Sequence, residues 1–284
     1  MPNKAHHETN RLSWNEGVKA HNSHKGDQAA FFRAGGNTLF PEETRLLGNV
    51  TDKTLLHLQC NCGQDSLSIA NHLGSRVTGV DISDEAIRFA RQLSRESGIK
   101  ASFIRADIYD FFANDSARFD VVFSSYGALC WLSDLAAWGR GIAGCLKPGG
   151  RFALTDFHPA LMMFDGEWQF KHDYMGGAPC ELESGVGDYV ALTGAAAETD
   201  SLLAGIRDFR NPFPGVEFQW GIAEVATAFL DAGLRLSHLV EYKFCNGFKP
   251  MSDMVDLGGR RYAMPTHLPQ NFPLMFSLVA ERLP

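Results

Sequence analysis

Long apolar runs, a cysteine framework and an excess of positive charge are all missing from this sequence of 284 residues. No run approaches the roughly 20 apolar residues of a membrane-spanning helix, and residues 1–10 lack the apolar core of a signal peptide. Six cysteines in so long a chain are too few for a disulfide scaffold, which favours a reducing, cytoplasmic setting. The net charge of −7 suits neither a nucleic-acid backbone nor an anionic membrane. Nucleic acid and membranes are therefore not expected as partners, and self-association into a homo-oligomer stays open.

A regular alternation of short apolar strands and helix-length segments fills residues 54–157. Strands are predicted at 54–58, 76–80, 101–105, 119–123 and 151–155. Between them, residues 83–97 place apolar side chains at helical spacing, with Ser83 as the N-cap. Because such alternation implies right-handed crossovers, the sequence predicts an α/β fold with a doubly wound, mostly parallel sheet.

The regular pattern ends after residue 157. Residues 158–219 hold glycine, proline and aromatic side chains without a period, which is typical of a substrate lid in a compact enzyme. A helix at 223–232 follows. Two further strands, at 234–244 and 272–281, are predicted to close one sheet edge as an antiparallel pair.

The segment before the first strand is predicted to cover the domain. Residues 1–40 are polar, and Pro41 with the acidic residues behind it marks the start of a helix. The expected organisation is a helical N-terminal cover over residues 1–45 and one domain over residues 46–284. A lid is inserted in this domain at about 158–219.

The loop after the first predicted strand distinguishes two classes of cofactor. It reads Gln59-Cys60-Asn61-Cys62-Gly63-Gln64-Asp65 and leads into a helix, where ligands of such sheets bind. A dinucleotide needs a glycine-rich G-x-G-x-x-G turn beside its pyrophosphate, whereas Gly63 is the only glycine here and Asp65 brings a negative charge. The loop therefore disfavours a nucleotide-binding oxidoreductase, which stays an alternative, and suits a ligand that carries a cation.

The end of the first strand and the start of this loop read Leu56-His57-Leu58-Gln59-Cys60. With this motif the sequence resembles the class I S-adenosylmethionine-dependent methyltransferases. More narrowly, it is similar to bacterial small-molecule methyltransferases with the same type of first loop. The resemblance covers residues 55–157 and extends more weakly to residues 32–39 and the C-terminal strands. It implies a Rossmann-like fold, S-adenosylmethionine as cofactor and S-adenosylhomocysteine as product. A protein that binds the cofactor without turnover is a further alternative.

The same resemblance implies a cofactor site along the ends of the first four strands. Asp81, 18 residues after Gly63, would accept hydrogen bonds from the ribose hydroxyls, and Ile82 would cover the adenine. Asp107 would accept from the adenine amino group beside Ile108. The complete predicted set is Gln59, Cys60, Asn61, Gly63, Asp81, Ile82, Asp107, Ile108 and Ser124.

A catalytic base is needed only if the methyl acceptor has a proton to lose. Three catalytic candidates stand out. Glu167 is an acid among aromatic residues, and His158 precedes Pro159 at the end of a strand, where a turn-stabilising hydrogen bond is the alternative role. By the resemblance, Tyr126 lies near the transferred methyl group.

The aromatic side chains of the predicted lid favour an apolar acceptor of the secondary-metabolite type, methylated on nitrogen, oxygen, sulfur or carbon. The candidate substrate-binding residues are Trp168, Phe170, Tyr174, Arg207, Arg210 and Trp220. An alternative acceptor is an isoprenoid diphosphate, methylated on carbon through a carbocation. Aromatic faces would stabilise that cation, and Arg207, Arg210 or Lys171 with a metal such as Mg²⁺ would hold the diphosphate.

No resident metal site is expected apart from that Mg²⁺. Cys60 and Cys62 are separated by one residue, which is not the spacing of a zinc site. The histidines near the N-terminus are interpreted as parts of a solvated arm. They are His6, His7, His21 and His24.

Overall fold

The computed structural model describes residues 3–115, 117–193 and 205–284, so residues 194–204 of the predicted lid lie outside the described residues. The strands are β1 (Thr54–Leu58), β2 (Arg76–Asp81), β3 (Ser102–Arg105), β4 (Phe119–Ser125), β5 (Leu146–Phe157), β6 (Pro179–Leu182), β7 (Gly215–Phe218), β8 (Arg235–Tyr242), β9 (Phe244–Asn246), β10 (Val255–Gly258), β11 (Arg261–Ala263) and β12 (Met275–Glu281). The helices are α1 (Lys4–Ser23), α2 (Gln28–Arg33), α3 (Pro41–Leu47), α4 (Gln64–Leu73), α5 (Asp84–Ser97), α6 (Ile108–Asn114), α7 (Leu135–Cys145), α8 (Tyr189–Thr193) and α9 (Ile222–Asp231).

Seven strands form one sheet in the order β3-β2-β1-β4-β5-β12-β8. Strands β1 to β5 pair in parallel, and β12 is antiparallel to both β5 and β8. The α/β prediction of a doubly wound, mostly parallel sheet is confirmed, as is the antiparallel pair at one edge. The C-terminal strand β12 is the antiparallel member and lies one place inside the edge strand β8.

Helices cover both faces of the sheet because its central strands are apolar on both sides. On one face, α6, α7 and α9 build a core around Trp138, whose ring packs against Phe152 and Phe229. On the other face, α3, α4 and α5 bury residues such as Leu47 and Ile69. Among the residues that the structure describes, no helix combines the length and the apolar character needed to cross a membrane.

Two helix starts predicted from sequence have the expected local cause. The hydroxyl of Ser83 accepts a hydrogen bond from the backbone N–H of Ala86 at 3.1 Å, which caps α5. Pro41 is the first residue of α3. A backbone N–H at this position has no partner within the helix, so the lack of an N–H in proline costs no hydrogen bond. Helix α5 directly follows β2, so its cap fixes the end of the loop after that strand.

Three smaller elements lie over the ends of the parallel strands. Helix α1 is called the cover helix here, and the antiparallel pair of β6 and β7 the lid sheet. A third element is the small sheet of β9, β10 and β11. It lies largely between the two strands predicted at 234–244 and 272–281, where no strand was predicted. The cover helix contacts both β7 and α5, and residues of all three elements line one cavity at this end of the main sheet.

Candidate functional site

A cavity of about 430 Å³ lies at the carboxyl ends of the parallel strands, between the sheet and the cover helix. This volume is in the usual range for a small-molecule site. Loops after four neighbouring strands line it. The lining residues from these loops include Gln59, Cys60, Asn61, Asp81, Ile82, Asp107, Ile108, Ser125, Tyr126 and Ala128.

The loop after β1 turns sharply back towards β2. Gln59 and Asn61 have φ of 53° and 48°, and Gly63 has φ of 79°, all in the left-handed region. This path brings the backbone N–H of Asn61 to 2.8 Å from the carboxylate of Asp81. Behind the loop, burial lowers the pKa of His57 to about 4, so this residue is a neutral imidazole beside Ser66 at neutral pH.

Asp81 is held by two backbone donors at the end of β2. One carboxylate oxygen accepts from the N–H of Asn61 and the other from the N–H of Ser83, each at 2.8 Å. Burial raises the pKa of Asp81 to about 6. A carboxylate has about four lone-pair sites, so two oxygens with further acceptor capacity line the cavity. Two adjacent hydroxyl groups are the natural partners for such a pair.

Asp107 contacts the cover helix directly, which sequence reasoning missed. His7 Nδ1 lies 2.6 Å from Asp107 Oδ2, and His7 Nε2 lies 2.6 Å from the hydroxyl of Ser133. The His7 ring also stacks on Tyr109, with a centroid distance of 5.2 Å. Burial alone would raise the pKa of Asp107, but the hydrogen bond and charge of His7, with the Tyr109 N–H and the charge of Lys4, together outweigh it and lower the pKa.

The interpretation of the N-terminal histidines as a solvated arm is wrong. His7, His21 and His24 are buried, and His6 is half-buried beside Phe218. His21 donates to the carbonyl oxygen of Gly187 at 2.8 Å, and burial lowers its pKa to about 4. The sequence signal was present: the buried polar residues recur at helical spacing on one face of α1, as His7, Asn10, Ser13 and His21.

Tyr126 is the predicted catalytic residue that the structure places in the cavity wall. Its φ is 39°, in the left-handed region, and its hydroxyl accepts a hydrogen bond from Asn246 Nδ2 at 3.0 Å. Burial raises the pKa of Tyr126 well above its ordinary value, so the hydroxyl keeps its proton at neutral pH. Tyr126 is therefore suited to donate a hydrogen bond rather than to remove a proton.

The other two predicted catalytic residues lie outside the cavity lining. Glu167 is exposed on a surface turn, where its backbone N–H donates to Asp165. His158 is buried, but its Nε2 lies 2.7 Å from Glu241 and its Nδ1 accepts from the N–H of Ala160. The structure thus contradicts the placement of Glu167, and gives His158 the turn-stabilising contact that was its alternative role.

The predicted substrate-binding residues also lie outside the main cavity. The rings of Trp168 and Phe170 pack against Phe164, and Phe170 is 75 % exposed. Arg207 and Arg210 are exposed. These placements correct the prediction of a substrate-binding role: the lid aromatic rings pack against one another, and the lid arginines are exposed to solvent.

Two further substrate candidates have structural partners instead. The hydroxyl of Tyr174 accepts from the N–H of Ile222 at 3.3 Å. Trp220 donates its indole N–H to the carbonyl of Leu132 at 2.7 Å, just behind the cavity wall. The aromatic lining comes largely from other parts of the chain, namely Trp14, Phe31, Phe32, Phe40, Tyr109, Tyr126, Trp131, Phe157, Tyr189 and Phe248.

Two residues of the predicted cofactor set support the site from behind. Ser124 is buried, and its neighbour Ser125 lines the cavity, because alternate residues of a strand face opposite sides. Gly63 is the residue before α4, and a Cβ atom on it would lie 2.7 Å from the Phe103 ring. Gly63 therefore allows close packing under the loop rather than contact with a ligand.

Glu217 is an acidic residue of the cavity that sequence reasoning missed. It lies on β7 and lines the cavity. Burial raises the pKa of Glu217 to about 7, with the charge of Lys171 acting in the opposite direction. The available signal was the lone acid between Val216 and Phe218 in a strand-like alternation, within a segment that appeared irregular as a whole.

The raised pKa of Glu217 predicts a pH-dependent stability. Between about pH 4.5 and 7 the folded state binds more protons at this residue than the unfolded state, so the free energy of unfolding should fall as pH rises. Glu217→Gln should remove that loss and stabilise the protein by roughly 1–3 kcal/mol above about pH 7. Urea unfolding at several pH values measures this. Glu181→Gln, at an exposed residue of β6, is the matched control, and equal effects of both variants would contradict the prediction.

Comparison with known proteins places a methyltransferase-domain family model on residues 55–150. The ubiquinone biosynthesis O-methyltransferase of Bordetella pertussis is 30% identical over 121 residues, which are 41% of this chain and 48% of that protein. The methyltransferase phqN of Penicillium fellutanum is 32% identical over 105 residues, which are 36% of this chain and 31% of that protein. The chain thus spans about half or less of the length of these relatives.

Solved structures share the fold over much more of the chain. An S-adenosylmethionine-dependent methyltransferase from Mesorhizobium loti has a TM-score of 0.56 and 20% identity, covering 85% of this chain and 96% of that one. A [4+2]-cyclase has a TM-score of 0.51 and 16% identity, covering 85% and 80%. At these identities the likeness shows the fold alone.

Proposed function

We propose that this chain, which carries a class I S-adenosylmethionine-dependent methyltransferase domain, transfers a methyl group to an apolar small-molecule acceptor. The observation that carries the proposal is the Asp81 carboxylate, fixed by the N–H groups of Asn61 and Ser83 in the wall of the cavity. A ribose offers it two neighbouring hydroxyl donors.

The charges of the cavity wall fit a cationic cofactor. Four acidic residues line it, namely Asp65, Asp81, Asp107 and Glu217, against the basic residues Lys25 and Arg260. When bound, S-adenosylmethionine supplies an electrophilic methyl group on a positively charged sulfur. The apolar side chains of Ile82 and Ile108 flank the two carboxylates at the ends of β2 and β3, and would hold the adenine ring.

The protein's contribution to such a reaction is position and exclusion of water. The cover helix closes the cavity through His7 and through the contacts of Trp14 with Trp131, whose ring centroids are 5.4 Å apart. Alignment of two reactants in a closed site contributes roughly 7–11 kcal/mol to the lowering of a barrier. The aromatic lining supports an apolar acceptor.

The isoprenoid diphosphate alternative is not supported, because the basic residues that suggested it, Lys171, Arg207 and Arg210, are exposed outside the cavity lining. The nucleotide-binding oxidoreductase is disfavoured by the methyltransferase-family match over residues 55–150. The fold alone does not fix the reaction, since a cyclase shares it. Binding and turnover therefore need separate tests.

Calorimetric titration with S-adenosylmethionine and with NAD tests cofactor choice. Incubation with methyl-labelled S-adenosylmethionine and a panel of apolar hydroxyl, amine and thiol compounds tests transfer. We expect binding of the first cofactor and labelled product from at least one compound class. Binding of NAD alone would contradict the proposal, and binding without any label transfer would favour a protein that only binds the cofactor.

Asp81→Asn is expected to weaken binding of S-adenosylhomocysteine by about 10- to 100-fold. The amide replaces one charged acceptor oxygen with a donor, and a hydrogen bond to a charged group contributes roughly 1.5–3 kcal/mol. Calorimetry measures the loss. Asp231→Asn, at an exposed position near the end of α9, is the control and should bind as the unaltered protein does. Unchanged affinity in Asp81→Asn would remove Asp81 from the site.

A further inference from the structure

The four carboxylates of the cavity differ in their partners. Asp65 accepts a hydrogen bond from the hydroxyl of Thr38 at 2.5 Å, Asp81 from two backbone N–H groups, and Asp107 contacts His7. Within residues 3–115, 117–193 and 205–284, no hydrogen bond or ion pair reaches the side chain of Glu217. Among the described residues, Glu217 is therefore the cavity acid without such a partner, and it is available to act on a bound molecule.

The backbone that carries Glu217 is held from two sides. Asn10 of the cover helix donates its amide to the carbonyl of Val216 at 2.8 Å and accepts from the Val216 N–H at 2.7 Å. On the other side, Glu217 pairs with Cys180 across the lid sheet. Asn10 is buried, so this double hydrogen bond is protected from water. Glu217 is thus presented by a fixed strand and not by a loop.

The charged and titratable groups near Glu217 are two thiols, a histidine and a lysine, and Glu217 is the one among them best suited to accept a proton. Burial, with the Glu217 charge adding to it, raises the pKa of Cys130 in the turn after β4 and of Cys180 on β6, so both thiols keep their protons. His172, half-buried, lies 3.5 Å from the sulfur of Cys180, and burial lowers its pKa. Lys171 is the cation whose charge acts on Glu217.

We propose that Glu217 is the general base of the methyl transfer and that the acceptor is an apolar phenol, whose hydroxyl proton it removes. This inference rests on the methyl transfer proposed above. In the step, a lone pair of the hydroxyl oxygen forms the new O–CH₃ bond, and the carbon–sulfur bond breaks with its electrons remaining on sulfur. The O–H electrons stay on oxygen, and the proton passes to the Glu217 carboxylate. The sulfonium and carboxylate charges are both neutralised.

A phenol fits both features of the wall. Aromatic side chains from the cover helix and from the turns around β4 offer faces for a ring, among them Trp14, Tyr126 and Trp131. A phenolic hydroxyl has a pKa of about 10, so it enters neutral and can donate to a carboxylate. A base that ionises near neutral pH is suited to take that proton in the transition state.

Binding to the protein loaded with S-adenosylhomocysteine tests this without turnover. The probes are phenol and naphthol, each beside its methyl ether, which has the same ring but no proton to donate. At about pH 8 we expect at least one hydroxyl compound to bind roughly tenfold more tightly than its ether, because it donates to an ionised group. In Glu217→Gln that preference should shrink to about twofold, and in the Glu181→Gln control it should persist.

The preference should also grow as pH rises through about 7, because Glu217 ionises there. No preference for either hydroxyl compound in the unaltered protein, or a preference that survives Glu217→Gln, would overturn the inference while the proposed methyl transfer stands. If the unaltered protein does not bind S-adenosylhomocysteine, that result would instead contradict the proposed function, and this inference with it.

Turnover gives an independent measurement on the same variants. With methyl-labelled S-adenosylmethionine and the bound phenol or naphthol, Glu217→Gln should lower the rate about 10²- to 10⁴-fold, the usual contribution of a general base. Glu217→Asp should restore part of it, with an altered pH profile. Equal rates in Glu217→Gln and the unaltered protein would remove Glu217 from the mechanism.

Discussion

Asn10→Leu should lower the free energy of unfolding by roughly 2–5 kcal/mol. The buried amide of Asn10 makes two hydrogen bonds to Val216, one to its N–H and one to its carbonyl. Leucine has a similar shape but no polar atoms, so both backbone groups of Val216 would lose their partners in a buried position. Each such loss costs about 1–3 kcal/mol.

Hydrogen exchange and urea unfolding would measure this effect at two levels. The Val216 amide should lose protection, and the lid sheet should open more readily than the main sheet. Asn114→Leu, on the exposed side of α6, is the matched control and should change stability by no more than about 0.5 kcal/mol. A Val216 amide that stays protected in Asn10→Leu would contradict the prediction. If Glu217 is the base, Asn10→Leu should also slow methyl transfer, since the same strand carries both residues.

The main sheet could be predicted because its signals are local. Strands β1, β2 and β4 are short apolar runs between turns, and Ser83 caps the helix whose first turn it precedes. The carboxyl ends of parallel strands meet at one edge of a sheet, which is why Asp81 and Asp107, after β2 and β3, both line the cavity. The location of the site follows from the same topology.

The cover helix and the lid sheet, which close the cavity, depend on contacts between residues far apart in sequence. His7 meets Asp107, 100 positions away, and Asn10 meets Val216, 206 positions away. A polar face on a helix usually indicates water, and here it faces other polar groups across a closed interface. The aromatic residues around Glu167 were misleading for a related reason: the rings of such a segment can pack against one another instead of lining a cavity.

The cover helix links both ends of the cavity. One face of α1 carries His7, which holds the carboxylate at the end of β3, and Asn10, three residues on, which holds the strand of Glu217. Residues at this spacing lie on the same side of a helix, so movement of α1 would disturb the proposed adenosine site and the proposed acceptor site together. Cofactor entry and placement of the base are therefore expected to depend on one rigid element.

Gly63→Ala should destabilise the protein by roughly 2–5 kcal/mol and weaken S-adenosylhomocysteine binding about tenfold or more. Its φ of 79° costs an L-residue roughly 1–2 kcal/mol. The added Cβ would also lie 2.7 Å from the Phe103 ring and 2.9 Å from Cβ of Ala90, both buried, and such overpacking costs about 1–3 kcal/mol. The loop would have to shift, and with it the Asn61 N–H that holds Asp81.

Gly98→Ala separates the two causes. Gly98 has a nearly identical φ of 78° after α5, but no atom lies within 4 Å of the position of an added Cβ. This variant should therefore show the cost of the backbone conformation alone, about 1–2 kcal/mol, with unchanged cofactor affinity. Urea unfolding and calorimetric titration of both variants give the comparison. Equal losses of stability, or normal affinity in Gly63→Ala, would show that the loop after β1 adjusts without moving Asn61 away from Asp81.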